Sequence, residues 1–306
     1  LWLHRRQRRG HRAGSVETQI SAINKSMDAT KTAAQAIQEV VATMMDRVLQ
    51  RVLLEDPFIK EAHHANKPLY AALVPDEIFK GSHFERRFVT PFGGLWEKLA
   101  VVAAQQAHGH CVQGALVSGS VGEERLRRIQ EVLNRLEHQQ TKGAARQTPN
   151  WNTELAYVLK GKGKPIPVSV TCDILIHNSA TGKKYAFELK GPLPNSDQTK
   201  VSKEKIFKLL AMSPARVDGA FFALPYNPYG VKKIDYAWTF PKRWFDMVND
   251  PCVLIGNAFW DFIGGVGTYA QFIDAVNAMG KNYHERIYRE YLGIEPPHTP
   301  EDYLLR

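Results

Sequence analysis

The sequence predicts an α/β fold, in which helices pack against a β-sheet. Two apolar runs with the alternation typical of strands, residues 168–176 and 184–190, flank a turn that contains Asn178 and Gly182. A third short apolar run, residues 220–224, is typical of a buried strand. Stretches with helical spacing of apolar residues lie before and after these strands. We therefore expect a central sheet with helices packed on it.

Two segments precede the predicted sheet. Residues 1–15 contain five arginines and no apolar core of a secretory signal, so they predict a basic, disordered extension. A basic arm that lies along phosphates is the functional alternative. In residues 16–78, apolar side chains recur at helical spacing up to Leu54, and Asp56-Pro57 ends that pattern. We expect a helical N-terminal region that contributes to the core or to a dimer interface.

Helices and loops alternate between this region and the predicted strands. Pro75-Asp76-Glu77 is typical of a helix start, and Gly93-Gly94 predicts a break before a helix with Glu97 in its first turn. The segments that follow are a Gly/Ser-rich loop at 107–122, a charged amphipathic helix at 122–140 and a helix at 151–159.

The clearest chemical pattern lies on the two central strand-like runs. Alternate residues of a strand share a face. Asp173 lies opposite the apolar face that the alternate residues from Val168 to Ile176 form, and Glu188 and Lys190 lie opposite the apolar face of the second run. If the two runs pair as a hairpin, these three polar side chains converge on one side of a sheet.

These side chains suit a metal-dependent reaction at a phosphate. Two carboxylates on neighbouring strands form the oxygen-rich site that Mg²⁺ prefers. Lys190 points into the same site, where it can orient a water while the metal neutralises charge on phosphorus. The pattern resembles the PD-(D/E)xK nuclease signature, although Cys172 stands where the signature has proline. The alternative interpretation is an exposed hairpin with ordinary surface charges.

Net charge and cysteine content narrow the class of protein. The formal charge of +9 favours a polyanionic partner such as nucleic acid, although the N-terminal arginines account for part of it. No long uncharged apolar run is present, so no membrane span is predicted. The three cysteines lack paired spacing and predict buried free thiols, which is typical of a reducing cytoplasm.

Two segments after Lys190 are candidates for contacts with DNA. A helix is predicted at 199–213, with its lysines, Lys205 among them, facing outward. A loop with the sequence PYNPYG follows the strand at 220–224. Lysines on a helix next to a carboxylate site suit a phosphate backbone, although a solvated helix face is the commoner origin of such a charge run. The candidate DNA-binding residues are Asn195, Lys200, Lys203, Tyr226, Asn227, Lys232 and Lys233.

The C-terminal part of the chain is predicted to add further short elements. These are a strand at 236–240, a helix at 244–248, an apolar segment at 253–255, a helix at 269–279 that ends at Gly280, and a helix at 284–291. Residues 296–306 contain three prolines and predict a surface tail.

Longer blocks of sequence carry a resemblance to a known family. The blocks are FERRFVTPFGGLWEKLA, CDILI, FELKGPLPNSDQTKVSKEKIFKLLA, PYNPYG and FWDFIGGVGTY, in that order along the chain. Together they resemble the TdeIII family of type II restriction endonucleases, over residues 79–293. The resemblance implies a PD-(D/E)xK endonuclease domain at residues 79–295, with a central mixed β-sheet flanked by helices.

This resemblance also implies an activity and roles for the site residues. The expected enzyme is a cytoplasmic homodimer that uses Mg²⁺ to cut both strands of double-stranded DNA at an unmethylated short palindrome of the GGNCC kind. It would leave 5′-phosphate and 3′-hydroxyl ends, and a DNA methyltransferase would be its genetic partner. Asp173 and Glu188 would bind the metal with the backbone carbonyl of Leu189, and Lys190 would orient the water. Glu97 is a candidate for a further acidic ligand, or else a solvated glutamate that complements its helix dipole.

Two other functions stay open on sequence grounds. One is a PD-(D/E)xK nuclease of DNA repair or junction resolution, which would prefer nicked or branched DNA to a defined sequence. The other is a non-catalytic DNA-binding protein with a degenerate site. The presence of Asp173, Glu188 and Lys190 together argues against the second alternative.

Overall fold

A mixed five-stranded sheet forms the centre of the molecule. The computed structural model describes residues 32–138 and 146–297. The strands are β1 (Gly109–Gly122), β2 (Pro165–Asn178), β3 (Lys184–Leu189), β4 (Gly219–Leu224) and β5 (Val253–Ile255), and they lie in that order across the sheet. β1–β2 and β2–β3 pair antiparallel, whereas β3–β4 and β4–β5 pair parallel. The predicted α/β fold with a mixed sheet is therefore confirmed.

Helices cover both faces of this sheet. In the described residues they are α1 (Ala33–Gln50), α2 (Lys60–Asn66), α3 (Pro68–Leu73), α4 (Asp76–Gly93), α5 (Leu95–His108), α6 (Glu123–Glu137), α7 (Trp151–Leu159), α8 (Ser196–Ala211), α9 (Asn257–Gly264) and α10 (Thr268–Arg286). Single π-helical turns, Arg51–Glu55 and Ile287–Leu292, extend α1 and α10. No helix in these two described ranges is both long and apolar enough to cross a membrane.

The two faces of the sheet carry separate hydrophobic cores. One core joins α6, α7 and α8 to the sheet and contains Leu133, Trp151 and Phe207. The other joins α1, α5, α9 and α10 to the opposite face and contains Leu99 and Trp260. The three cysteines are free and buried, as predicted.

The strand β2 contributes to both cores, which corrects the expectation of a single apolar face. Cys172 packs in the core of α6–α8, whereas Ile174 packs in the core of α1, α5, α9 and α10. The change occurs at Asp173, between these two residues. The register places Gly114 of β1 opposite Asp173, and Gly114 has a φ of +63°, a conformation that glycine adopts without steric cost. The paired strands therefore pass from one layer to the other at the aspartate.

The helix α1 follows the predicted amphipathic pattern. It begins with a capping box, in which Thr32 accepts the backbone N–H of Gln35 and the Gln35 side chain accepts the backbone N–H of Thr32. Its apolar stripe, which includes Ile37, Val48 and Leu49, is buried against α5 and α10. The helical pattern predicted for residues 16–31, and the extension at 1–15, lie outside the described residues.

The loop predicted at 107–122 is wrong, because its first two residues end α5 and the rest form the strand β1. Glycine and serine content indicated a loop, but alternate residues of the segment are buried, among them Cys111, Ala115, Val117 and Val121. β2 supplies backbone partners along the whole length of β1. Pairing with a neighbouring strand therefore outweighs the weak strand preference of these small residues.

Three C-terminal expectations are also wrong. Residues 236–240 form no strand and 244–248 form turns rather than a helix. The apolar side chains there anchor an irregular loop: Tyr236 Oη and Trp238 Nε1 donate to the carbonyls of Pro192 and Pro194 at 2.8 and 2.9 Å. α10 continues through Gly280 to Arg286, and Tyr283 beyond the glycine bonds to Asp46 of α1. Packing against α1 thus favours the helix despite the glycine.

Candidate active site

Asp173, Glu188 and Lys190 meet where β2 changes layers and β3 ends. β2 and β3 pair with Ile174 opposite Phe187, so the next pair brings Asp173 opposite Glu188. The backbone N–H of Lys190 donates to Ala223 O of β4 at 3.0 Å, which extends the β3–β4 pairing by one residue. Backbone bonds on both sides of β3 therefore hold these three residues in place.

The lysine amine lies between the two carboxylates. Lys190 Nζ donates to Asp173 Oδ2 at 2.8 Å and to Leu189 O at 3.1 Å. The same Asp173 oxygen accepts the backbone N–H of Leu189 at 2.7 Å. Burial lowers the pKa of Lys190, but the charges of Asp173 and Glu188 outweigh burial, so the pKa is raised overall. Lys190 is therefore a firmly protonated, fixed donor.

Glu188 is the unusual member of this group. Its side chain is 1% exposed, and Oε1 accepts a hydrogen bond from Lys205 Nζ at 2.8 Å. Oε2 is buried and accepts no hydrogen bond; Lys190 Nζ lies 3.5 Å away, an ion-pair distance. Burial, followed by the charge of Asp173, raises the pKa of Glu188 to about 7. An unsatisfied buried carboxylate oxygen is costly unless another ligand occupies the position.

The donor set fits a hard divalent cation. Asp173 and Glu188 supply carboxylate oxygens, and Leu189 supplies a carbonyl oxygen that faces the same lysine amine. Mg²⁺ typically binds one or two carboxylates and completes its coordination with water and phosphate. No group of three or more histidine, cysteine, aspartate or glutamate side chains is close enough to hold a metal within the described ranges. A two-carboxylate site completed by substrate oxygens is therefore the arrangement that these residues support.

Glu97 does not join Asp173 and Glu188 in such a group. It lies in the first turn of α5, where Gln113 Nε2 of β1 donates to its Oε2 at 2.8 Å. Gln113 precedes Gly114, the residue opposite Asp173, so Glu97 is one strand removed from the central pair. The expected third acidic ligand is therefore absent from this arrangement.

Two DNA-binding candidates on α8 have structural roles. Lys203, predicted to face outward, is fully buried; its Nζ donates to Glu154 Oε2 at 2.5 Å and to Trp244 O. A lysine in that position cannot reach a phosphate, so this assignment is wrong. Asn195 is exposed but serves as the N-cap of α8, with Oδ1 accepting the Gln198 N–H at 2.8 Å.

The other candidates lie nearer the surface. Lys200 is half-buried and donates to Glu137 Oε2, with its amine above the ring of Trp244. In the loop after β4, Asn227 Nδ2 donates to Lys232 O at 2.8 Å and thereby organises the loop. The side chain of Lys232 is exposed.

The remaining loop candidates are less accessible. Lys233 Nζ donates to Asp250 O at 3.0 Å, and burial lowers the pKa of this lysine. Tyr226 packs with its ring 5.7 Å from that of Trp96, and burial raises the pKa of the tyrosine. The loop begins at the end of β4, next to Ala223, whose carbonyl accepts the backbone N–H of Lys190.

Lys205 is the site residue that the sequence analysis misplaced. It was expected to face outward with the other lysines of its helix, but it reaches Glu188. The helix begins at Ser196, three residues earlier than predicted, and Lys205 lies next to the buried Ile206. In the sequence, the apolar Ile206 is the one indication that Lys205 lies close to the buried face of the helix. It indicates only that Lys205 borders that face, and not that it contacts Glu188.

Comparison with known proteins identifies the family. A family model described as type II restriction endonuclease, HinfI, matches residues 33–280. The chain is similar to the type II restriction enzyme HgiEI of Herpetosiphon aurantiacus, with 24% identity, covering 80% of this chain and 89% of the relative. It is also similar to HgiBI of the same organism, with 25% identity over 70% of this chain and 77% of the relative. The chain belongs to the HinfI family of type II restriction endonucleases, which are site-specific deoxyribonucleases.

Proposed function

We propose that this enzyme uses Mg²⁺ to hydrolyse phosphodiester bonds in both strands of DNA, leaving 5′-phosphate and 3′-hydroxyl ends. The observation that carries the proposal is the buried Oε2 of Glu188, which accepts no hydrogen bond and lies at ion-pair distance, 3.5 Å, from Lys190 Nζ in a site that also contains Asp173. Asp173, Glu188 and the carbonyl of Leu189 are the proposed metal ligands. Family membership favours this function over a repair nuclease or a non-catalytic DNA-binding protein.

The side chains divide the chemistry between them. A bound Mg²⁺ would supply charge neutralisation at the scissile phosphate and would acidify a water. Lys190 is protonated and held by Asp173 and Leu189, so it can donate to the attacking water or to a phosphate oxygen. The Leu189 N–H holds Asp173 Oδ2, which leaves Asp173 Oδ1 with no hydrogen bond to Lys190 or Leu189.

A cleavage assay with and without the metal tests the proposal. Purified protein is incubated with unmethylated phage DNA in Mg²⁺ and, in parallel, in EDTA. We expect discrete fragments in the reaction with Mg²⁺ and none in the reaction with EDTA. Sequencing of the fragment ends gives the recognition site and the end chemistry. A smear of fragments, preferential cutting of branched DNA, or cutting in EDTA would contradict it.

The recognition sequence is proposed from the resemblance to the TdeIII family. We propose a short palindrome of the GGNCC kind, read in part by the loop that follows β4. Lys232 and Asn227 belong to that loop, which begins at the end of β4 next to Lys190, and lysine commonly pairs with guanine O6 and N7 in the major groove. Fragment ends that share another sequence would refute the palindrome without affecting the metal site.

A homodimer suits a palindromic site, because two-fold symmetry in the protein matches two-fold symmetry in the DNA. Supporting this, large apolar side chains are exposed in the N-terminal helical region, among them Leu54, Ile59, Leu69, Tyr70, Leu73 and Ile78. We propose that this surface forms part of the dimer interface. A cognate DNA methyltransferase, its genetic partner, would then protect the host DNA in the cytoplasm.

Light scattering of a charged double variant tests the interface. Leu69→Lys combined with Leu73→Lys should convert a dimer into a monomer, because two lysine charges would be buried at the interface. Val266→Lys is the matched control, since Val266 is also highly exposed but lies between α9 and α10. A dimer that survives the double variant would place the interface elsewhere.

A further inference from the structure

Lys205 contacts the candidate metal site from a different element than the other site residues. It lies on α8, whereas Asp173, Glu188 and Lys190 lie on or next to β2 and β3. Lys205 Nζ donates to Glu188 Oε1 at 2.8 Å, and Lys190 Nζ donates to Asp173 Oδ2 at 2.8 Å. Each of the two carboxylates therefore has its own lysine donor.

The contact makes the two oxygens of Glu188 unequal. Oε1 is occupied by the Lys205 amine, while Oε2 is buried without a hydrogen bond. The bond to Lys205 restrains rotation of the carboxylate, because any intermediate rotation would break it. One oxygen therefore stays directed at α8, and the other remains available.

The helix that carries Lys205 is itself firmly placed. A capping box at Asn195 and Gln198 fixes its N-terminus. Two residues before Lys205, the fully buried Lys203 bonds to Glu154 of α7 and to Trp244 O. The position of Lys205 relative to β3 is thus set by rigid elements rather than by a flexible loop, which is what a precise ligand geometry requires.

We propose that Lys205 is a positioning residue that holds Glu188 by Oε1 and presents Oε2 to the divalent cation. The inference rests on the proposed function to the extent that Glu188 is a metal ligand. Hydrogen-bond partners of metal-binding side chains commonly contribute about 10–100-fold to metal affinity. Loss of Lys205 should therefore weaken metal binding, and a high metal concentration should compensate for that loss.

Binding of Mn²⁺ in the absence of DNA provides a readout that does not depend on cleavage. The electron paramagnetic resonance signal of free Mn²⁺ is titrated for the wild type, Lys205→Met and Lys205→Arg. We expect the Kd for Mn²⁺ to rise about 10–100-fold in Lys205→Met and clearly less in Lys205→Arg, which keeps a charged donor. Lys208→Met is the matched control; it lies on the same helix but pairs with Glu204 at 2.7 Å, and its Kd should not change.

Cleavage measured against metal concentration completes the test. In Lys205→Met the half-maximal Mn²⁺ concentration should rise by the same factor as the Kd, while the rate at saturating Mn²⁺ returns close to that of the wild type. Equal Mn²⁺ affinity in Lys205→Met and wild type overturns the inference, as does a rate that stays low at saturating Mn²⁺. If Lys205→Met does not fold, Lys205→Gln and Lys205→Arg are compared with the wild type instead. Equal Mn²⁺ affinity in all three proteins overturns the inference. A wild type that neither binds Mn²⁺ nor cuts DNA refutes the proposed function itself.

Discussion

Two of the lysine–glutamate pairs that join α8 to neighbouring elements contain a buried glutamate, and they differ in how many hydrogen bonds that glutamate accepts. Glu154 accepts Lys203 Nζ at 2.5 Å through Oε2 and the backbone N–H of Asn150 at 3.2 Å through Oε1. Glu188 accepts Lys205 Nζ through Oε1 alone, and its Oε2 has no hydrogen bond. Both glutamates are at most 3% exposed. Burial of the glutamate alone therefore does not distinguish a structural pair from one in the candidate site. The glutamate oxygen that accepts no hydrogen bond does distinguish them.

The surroundings of the two lysines reinforce this difference. Lys203 is fully buried, and the ring centroids of Trp151, Phe207 and Phe245 lie 5.8, 5.5 and 4.9 Å from its amine. The Lys205 side chain is 29% exposed and so remains in contact with solvent. We call Lys203–Glu154 the closed pair, because protein surrounds it, and Lys205–Glu188 the open pair, because its lysine is in contact with solvent, from which a substrate can approach.

The largest effect should come from breaking the closed pair. Lys203→Met leaves the Glu154 carboxylate buried without a cation, which typically costs about 3–5 kcal/mol. Denaturant unfolding of the purified variant measures the loss, and the double variant Lys203→Met with Glu154→Met should recover much of it. A single variant as stable as the wild type would show that this pair does not hold α8 in place.

Substitution in the open pair should reduce cleavage activity more than it reduces the free energy of unfolding. Glu188→Gln removes a proposed metal ligand and should slow cleavage by about 10²–10³-fold, the loss typical of one electrostatic catalytic group. Its free energy of unfolding should fall less than that of Glu154→Gln, because Lys205 can be solvated and Lys203 cannot. Single-turnover cleavage and denaturant unfolding on both variants measure this contrast. A larger loss of unfolding free energy in Glu188→Gln than in Glu154→Gln would contradict the assignment of Glu154 to a structural pair and of Glu188 to the candidate site.

A surface lysine in the loop after β4 should change DNA binding without touching either pair. Lys232→Ala removes one exposed charge from this loop. If it contacts a phosphate, the slope of log K against log salt should become shallower by about one unit. Binding in Ca²⁺, measured from low to high salt, gives the slope, and Mn²⁺ affinity without DNA should stay constant. An unchanged slope together with relaxed cleavage specificity would assign Lys232 to base reading instead.

The smallest effect is expected for a lysine of α8 that belongs to neither pair. Lys208 bonds to Glu204 one helical turn away, and both side chains are partly exposed. Lys208→Met should change the free energy of unfolding by no more than about 0.5 kcal/mol, which is the usual worth of such pairs. A thermal melt checks this value. A larger loss of stability would show that the ion-pair partner of a lysine on α8 does not by itself predict the effect of replacing that lysine.

Prediction from sequence succeeded where a pattern is local. Strand alternation in residues 168–176 and 184–190 placed β2 and β3 correctly, and helical periodicity identified α1, α5 and α6. The same alternation predicted that Asp173, Glu188 and Lys190 share one side of a sheet, and the structure brings their side chains together. Each of these features depends on residues close in sequence, or on one hairpin.

Prediction failed where a distant partner decides the outcome. The small residues of β1 predict a loop, but β2 supplies the strand's hydrogen bonds across more than forty intervening residues. Lys203 and Lys205 look alike in the sequence, and only the packing of α8 between α7 and β3 assigns one to a buried pair and the other to the site.

The sequence by itself determined the α/β class, the central strands and the convergence of Asp173, Glu188 and Lys190 in the candidate site, because alternation and helical spacing are properties of the local chain. Only the tertiary structure decided that β2 passes between two cores at Asp173, that Lys205 reaches Glu188, and that one glutamate oxygen remains without a hydrogen bond. The physical reason is that burial and hydrogen-bond satisfaction depend on elements far apart in the chain, and no local pattern encodes which of them will meet.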